Sequence, residues 1–211
     1  MIKSILAIVL FFTTLFCYGQ SFDSYFDQPM TSAEYEIERL MLPQLNEIIK
    51  ANPLYIDAYI SRGWNKYRLK DFAGALEDLD VAVTYKALNI DAHMNRGIVL
   101  FALKDYNQAI EEMNIVIHID PKSSTAYYNR GVAQYYLGNK WMAIADYDKS
   151  IELWAPKVDA YLKRAEAYYS LGDKYKTYAC SDLLKAKEVK LDDVYLYKLD
   201  NELYIKYCSI H

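Results

Sequence analysis

Three histidines (His93, His118, His211), three cysteines (Cys17, Cys180, Cys208) and 28 acidic residues are the groups with which this 211-residue chain could do metal or acid–base chemistry. No histidine or cysteine falls in an HxxxH or CxxC spacing, so no metal set emerges. The glycines do not gather into a phosphate-binding loop, and the acids sit at solvent-facing helical spacing. This inventory reads as a non-enzyme with no cofactor and no metal. The residue that does recur is arginine: Arg62, Arg96, Arg130 and Arg164 repeat every 34 residues. Arginine pairs bidentately with phosphate or carboxylate, so the series could form a ligand-binding ladder. Each one, however, is matched in the following segment by an acid. These are Asp78, Glu112, Asp146 and, in a register shifted by two, Asp182. Ion pairs inside each repeat are the better reading.

The elements that must position these pairs follow the same period. Ala58, Ala92, Ala126 and Ala160 keep it, as do Leu69, Leu103, Leu137 and Leu171. Gly63, Gly97 and Gly131 keep it on first helices, and Ala75, Ala109 and Ala143 on second helices. A helix–turn–helix unit of this length is the mark of a stacked α-solenoid. The periodicity predicts hairpins Ile56–Leu69/Phe72–Lys86, Ile90–Leu103/Tyr106–Ile119, Thr125–Leu137/Lys140–Leu153 and Val158–Leu171/Lys174–Val189. The small residues let the two helices of a hairpin approach closely, and a bulky replacement would overpack the contact. Before the repeats, Thr31 and Glu34 form a capping box for a helix over 32–53 that reads as a half-repeat cap, kinked by Pro43. After them, residues 191–211 carry an apolar stripe that suits a C-terminal capping helix. The alternative is that this helix lies in the groove as an autoinhibitory ligand.

Asp57-Ala58-Tyr59 with Gly63, Ala75 and Ala82, and Ala126-Tyr127-Tyr128-Asn129-Arg130-Gly131 with Ala143-Ile144 and Tyr147, resemble the tetratricopeptide repeat family, of a secreted or periplasmic bacterial type. The resemblance covers four units over 54–190. It implies an all-α, right-handed solenoid of four hairpins with helical caps, a concave groove lined by first helices, and a scaffold role. There are departures. Lys140 stands where Phe72 and Tyr106 supply an aromatic. In the fourth unit Ala179, two residues late, closes the hairpin, which predicts a bulge or longer turn near Lys174–Tyr178. The partner-binding face implied by the family includes Ile60, Trp64, Tyr67, Met94, Asn95, Ile98, Phe101, Tyr128, Asn129, Tyr135 and Tyr169. It is aromatic and mostly uncharged, unlike grooves that clamp acidic tails, and it suits an amphipathic helix or an apolar extended peptide. Trp64 and Tyr135 are expected to be partly exposed. A carrier or holdase for a lipid or an unfolded outer-membrane segment is the alternative function.

Net charge is −4, which excludes a large basic footprint for nucleic acid. Twenty-two tyrosines are unusual, and suit both helix packing and binding surfaces. Residues 1–19 have the layout of a cleaved secretory signal: Lys3, the apolar run Ile5–Phe16, and Cys17-Tyr18-Gly19 before Gln20. A lipoprotein signal at Cys17 and an uncleaved anchor are alternatives. On the cleaved reading, residues 20–31 are a linker and the mature chain is periplasmic or extracellular without a membrane span. It retains only Cys180 and Cys208. These lie at similar heights on two helices that must run antiparallel, and an oxidising compartment favours their disulfide.

Overall fold

The structure is a computed structural model that describes residues 30–154, 158–189 and 206–208. The expected leader, most of the linker and the stretch 191–205 lie outside the described residues. Among the described residues there are nine α-helices of defined bounds, one 3-10 turn, a helical segment at 206–208 and no strand. They fall into two compact units, the first ending at Ile119 and the second starting at Asp120.

The first unit opens with α1 (Ser32–Ala51), which contains Pro43 and buries Leu45 and Ile49. Its capping box forms as the sequence predicts: Glu34 N–H donates to Thr31 Oγ1 at 3.2 Å, and Thr31 N–H to Glu34 Oε2 at 2.8 Å. Helices α2 (Ile56–Arg68) and α3 (Phe72–Tyr85) form one hairpin, α4 (Ile90–Ala102) and α5 (Tyr106–Ile119) the next. Helix α1 packs on α2, and α4 packs on both α2 and α3, so successive hairpins stack side by side.

The second unit repeats the plan with α6 (Ser124–Tyr136), α7 (Lys140–Leu153), α8 (Val158–Ser170) and α9 (Lys176–Val189). Helix α8 packs on both α6 and α7. The predicted bulge is present as a 3-10 turn, Asp173–Tyr175. It delays α9 to Lys176 instead of Lys174, which carries Ala179 to the hairpin seam, where it is fully buried.

The seams explain the small residues. Opposite each first-helix glycine stands a large, buried residue of the second helix. A Cβ on Gly63 would lie 2.9 Å from Leu79 Cγ, and one on Gly131 2.8 Å from Tyr147 Cε1. On Gly97 the nearest atom would be Met113 Cε, at 2.4 Å. The turns share a device as well. Lys70 and Lys104 have φ of 67° and 64°, and Gly138 and Gly172 have φ of 84° and 104°. All four occupy one position of the 34-residue register. At Lys70 the geometry is a Schellman motif, Asp71 N–H donating to Lys66 O and Lys70 N–H to Tyr67 O, both at 2.9 Å. Asp105 and Lys104, then Asn139 and Gly138, make the same pair of bonds in the next two hairpins.

Candidate functional site

The arginine series is built into the hairpin seams. Arg62 Nε donates to Asp78 at 2.8 Å, Arg96 Nη1 to Glu112 at 2.7 Å, Arg130 Nε to Asp146 at 2.9 Å and Arg164 Nε to Asp182 at 2.7 Å. The acids are buried and the guanidinium groups largely so. Arginines held this way are not offered to a phosphate ligand. A tyrosine lies over three of them, with Tyr59–Arg62, Tyr127–Arg130 and Tyr161–Arg164 at 5.5, 5.4 and 5.6 Å. Sequence reasoning missed the second arm of these side chains. Arg62 also donates to Asn46 on α1 at 2.8 Å, Arg96 lies 2.8 Å from Asp80 on α3, and Arg164 donates to Asp148 on α7 at 2.5 Å. One guanidinium thus joins its own hairpin to the preceding second helix. The signal was present: positions 46, 80, 114 and 148 are Asn, Asp, Asn and Asp at the repeat period.

A buried polar cluster on α1 and α2 was also missed. Glu38 accepts from Asn65 Nδ2 at 2.5 Å and lies 2.8 Å from Arg68 Nη1. Burial pushes the Glu38 carboxyl up against the opposing pull of Arg68.

The eleven residues of the implied groove divide into two classes. Ile60, Trp64, Tyr67, Met94, Asn95, Ile98, Phe101, Tyr128 and Asn129 are buried. Trp64, expected to be partly exposed, is only 5% exposed and stacks on Tyr67 with ring centroids 5.1 Å apart. Ile60 belongs to an apolar cluster with Ile56, Ala82 and Ala92, and Tyr128 meets Tyr147 at 5.8 Å. Tyr135 and Tyr169 are half-buried.

The division has a local cause. Tyr67, Phe101, Tyr135 and Tyr169 hold one position of the repeat. Tyr67 meets Phe72 at 5.8 Å and Phe101 meets Tyr106 at 5.2 Å, an aromatic at the start of the second helix in each case. In the third and fourth hairpins that place is taken by Lys140 and, because α9 is delayed by two residues, by Lys176. The ring that closes over Tyr67 and Phe101 therefore has no counterpart at that place for Tyr135 or Tyr169. Tyr135 has Tyr136 edge-on at 5.9 Å, and burial followed by the charge of Glu166 raises its phenol above the ordinary value.

Tyr169 carries another ring. Tyr207 stacks on it with centroids 4.0 Å apart and planes 19° apart, and is itself 5% exposed. Burial, then the charge of Glu166, pushes the Tyr207 phenol up to about 12. The next residue, Cys208, is disulfide-bonded to Cys180 on α9, with the two Cα atoms 5.2 Å apart. A further aromatic group, unforeseen from the sequence, joins Trp141 to Tyr175 at 5.2 Å and Tyr168 to Tyr178 at 5.3 Å. Among the described residues, no group of three His, Cys, Asp or Glu is placed to hold a metal, and no helix is long and apolar enough to cross a membrane.

Comparison with known sequences and folds agrees with this geometry. Sequence profiles of the tetratricopeptide repeat match residues 60–124 and 124–154. No curated protein matches the chain. Among solved structures, a thermophilic TPR protein of Thermus thermophilus, TTC0263, is similar with a TM-score of 0.72 at 17% identity, over 97% of this chain and 100% of that one. MamA is similar with a TM-score of 0.66 at 20% identity, over 77% and 96%. YrrB, described as a TPR protein with an unusual peptide-binding site, is similar with a TM-score of 0.64 at 15% identity, over 80% and 86%. At these identities the likeness speaks to the fold: an all-α solenoid of helix hairpins.

Proposed function

The chain belongs to the tetratricopeptide repeat family, and from that premise we propose that it is a non-catalytic scaffold which holds a peptide or helix of a partner protein on its first-helix face. The observation that carries this reading is the opening of that face in the second unit. Tyr135 occupies the position of the buried Tyr67 and Phe101, but Lys140 replaces the ring that would close over it; at Tyr169, where Lys176 holds that place, Tyr207 covers the ring instead. Half-buried Tyr135, with Glu166 and the Tyr207-covered Tyr169 on the neighbouring first helix, forms a surface on which an apolar or aromatic side chain can be desolvated.

We place this scaffold in the periplasm or outside the cell. Lys3, the apolar run and Cys17-Tyr18-Gly19 support cleavage before Gln20, and a Cys180–Cys208 bond suits an oxidising compartment. The experiment is capture of envelope proteins by the mature chain, with wild type, Tyr135→Ala and Tyr169→Ala compared. Each replacement is expected to weaken capture of a defined partner by about 1–3 kcal/mol, the scale of an aromatic anchor. Unchanged capture by both variants would overturn the assignment of this surface. Retention of many unrelated apolar segments or of extractable lipid would instead mark a carrier. N-terminal sequencing that returned Met1 from envelope material would overturn the cleavage site.

A further inference from the structure

We propose that the face around Tyr169 is a receptor for an aromatic side chain adjoining a cationic one, and that the chain's own Lys206-Tyr207 fills it in cis with Cys180–Cys208 as the latch. The inference rests on the scaffold reading and names the chemistry of the partner segment. Tyr207 lies almost parallel to Tyr169 and supplies the ring that the fourth hairpin lacks, since Lys176 opens α9 where Phe72 and Tyr106 open the second helices of the first two. The occupant and the gap therefore match in kind.

The flanking cation has its own place. Lys206 Nζ lies 5.5 Å from the centre of the Tyr169 ring and 5.4 Å from that of Tyr207, and the residue is exposed. A cation at the rim of the stacked pair is attracted by both ring faces. Beside it Glu166, whose side chain is 38% exposed and bridged to Lys163 at 3.1 Å, supplies a carboxylate to the same surface. Glu166 heads the charges that raise the Tyr207 phenol, so the buried hydroxyl enters as a neutral group. Aromatic plus cation against aromatic plus carboxylate is a complementary pair of surfaces.

The hairpin beneath has a seam of its own. Ala165 of α8 and Ala179, Leu183 and Ala186 of α9 are buried along it, and Arg164 is bonded to Asp182 there. Tyr207 belongs to that buried core together with Val158 and Leu162, and stacks on Tyr169 at its edge. The Arg164–Asp182 pair and the alanine seam join α8 to α9 directly, so a segment arriving from another protein would supply its own ring to the same core in place of Tyr207. The bond to Cys180 makes the internal occupant effectively intramolecular, which a free segment must outcompete.

The test uses the full mature chain as oxidised wild type and as the Tyr207→Ala/Cys208→Ser variant. The probe is a fluorescent peptide with the sequence of residues 201–211 and serine in place of its cysteine. The proposal expects at least about tenfold tighter binding to the variant than to wild type. It expects the gain to vanish with Tyr169→Ala in the protein or with alanine for the peptide tyrosine, a loss on the scale of one aromatic anchor. Equal binding, or none, in a folded variant would overturn it. Should the variant not fold, wild type reduced by a dithiol is followed by hydrogen exchange. Opening of residues 206–208 with α8 and α9 still protected supports the proposal, and joint loss of protection means an integral cap and overturns it. A dimer formed by exchange of the Lys206-Tyr207 segment would make a second copy the occupant and overturn the partner assignment. Partner capture by wild type that is lost in Tyr135→Ala but unchanged by release of the latch would sink this inference and leave the scaffold reading standing.

Discussion

His93 Nδ1 lies 2.7 Å from Glu112 Oε2 across the α4–α5 seam, in the place where the other repeats set Tyr59, Tyr127 and Tyr161. Its other ring nitrogen, Nε2, lies 3.0 Å from the Ala87 carbonyl oxygen. Both partners are acceptors, so satisfying both requires both nitrogens to donate and the ring to be an imidazolium. The bond to Glu112 raises the pKa of His93 against the cost of burial, with further support from Ala87 and opposition from Arg96. The substitution of histidine for tyrosine is thus paired with glutamate for aspartate at Glu112, where the longer side chain serves His93 and Arg96 together.

A pH dependence follows. The folded pKa is raised above the unfolded value of about 6.5, so the contribution of His93 is fully present below about pH 6.5 and is lost as pH rises through the folded value. His93→Gln should therefore destabilise most in acid, and the gap to wild type should narrow as pH rises through the raised folded value. Thermal unfolding of the two proteins across that range reads the difference. A gap that stays constant from acid through neutral pH would show that folding does not raise the pKa of His93 and would overturn this reading.

The seam glycines are expected to differ in their tolerance of alanine. Gly131→Ala drives a Cβ against the ring of Tyr147, with Asp146 Cβ at 3.1 Å behind it, and Gly63→Ala against the branch carbon of Leu79, with the Ala75 carbonyl oxygen at 3.2 Å. Both should lower stability by about 1–3 kcal/mol in urea titrations. At Gly97 the first obstacle is the terminal methyl of Met113, which can swing aside, so Gly97→Ala should be the mildest of the three. The opposite ranking would place the tight contact elsewhere.

Lys70 and Lys104 hold the left-handed turn position that Gly138 and Gly172 fill without strain. Lys70→Gly and Lys104→Gly should each be neutral to stabilising, by up to about 1 kcal/mol, because relief of backbone strain outweighs the added freedom of the unfolded chain. Each raised midpoint should come with an unchanged denaturant slope. A clear drop in either midpoint would mean that the lysine side chain contributes more than its backbone strain costs.

The two acids on Arg164 should not be equivalent. Asp182 is 4% exposed in its side chain, and Asp182→Ala strands a partly buried guanidinium at a cost of about 3–5 kcal/mol. Asp148 is 53% exposed, and Asp148→Ala should cost less than about 1 kcal/mol and fade with added salt. Equal losses from the two would mean that the second arm, towards α7, carries as much as the first.

The helix ends, the seam glycines and the Arg–acid pairs were legible in the linear sequence, because each is a contact within one hairpin and recurs at a fixed spacing. Even the irregular fourth hairpin announced itself, through the two-residue delay of Ala179 and Asp182 that the 3-10 turn absorbs. Exposure was not legible. Trp64 and Tyr135 both project to the first-helix face, yet Trp64 is buried and Tyr135 half-open, since burial depends on which side chains arrive from elsewhere in the fold. The departure of Lys140 from the aromatic pattern was visible in the sequence, but its effect on Tyr135 appears only when first and second helices are set face to face.

What the sequence alone determined is therefore the unit, because a 34-residue pattern specifies a hairpin by local propensity and short-range packing. The pairing of Cys180 with Cys208 was also within reach, since two cysteines beyond the expected leader allow one intramolecular pairing. Tertiary structure decided the rest. It set the second arm of each of Arg62, Arg96 and Arg164, since that arm reaches a preceding helix. It set Tyr207 on Tyr169, since a stacking contact between residues 38 positions apart has no period to reveal it and depends on where the chain returns in space.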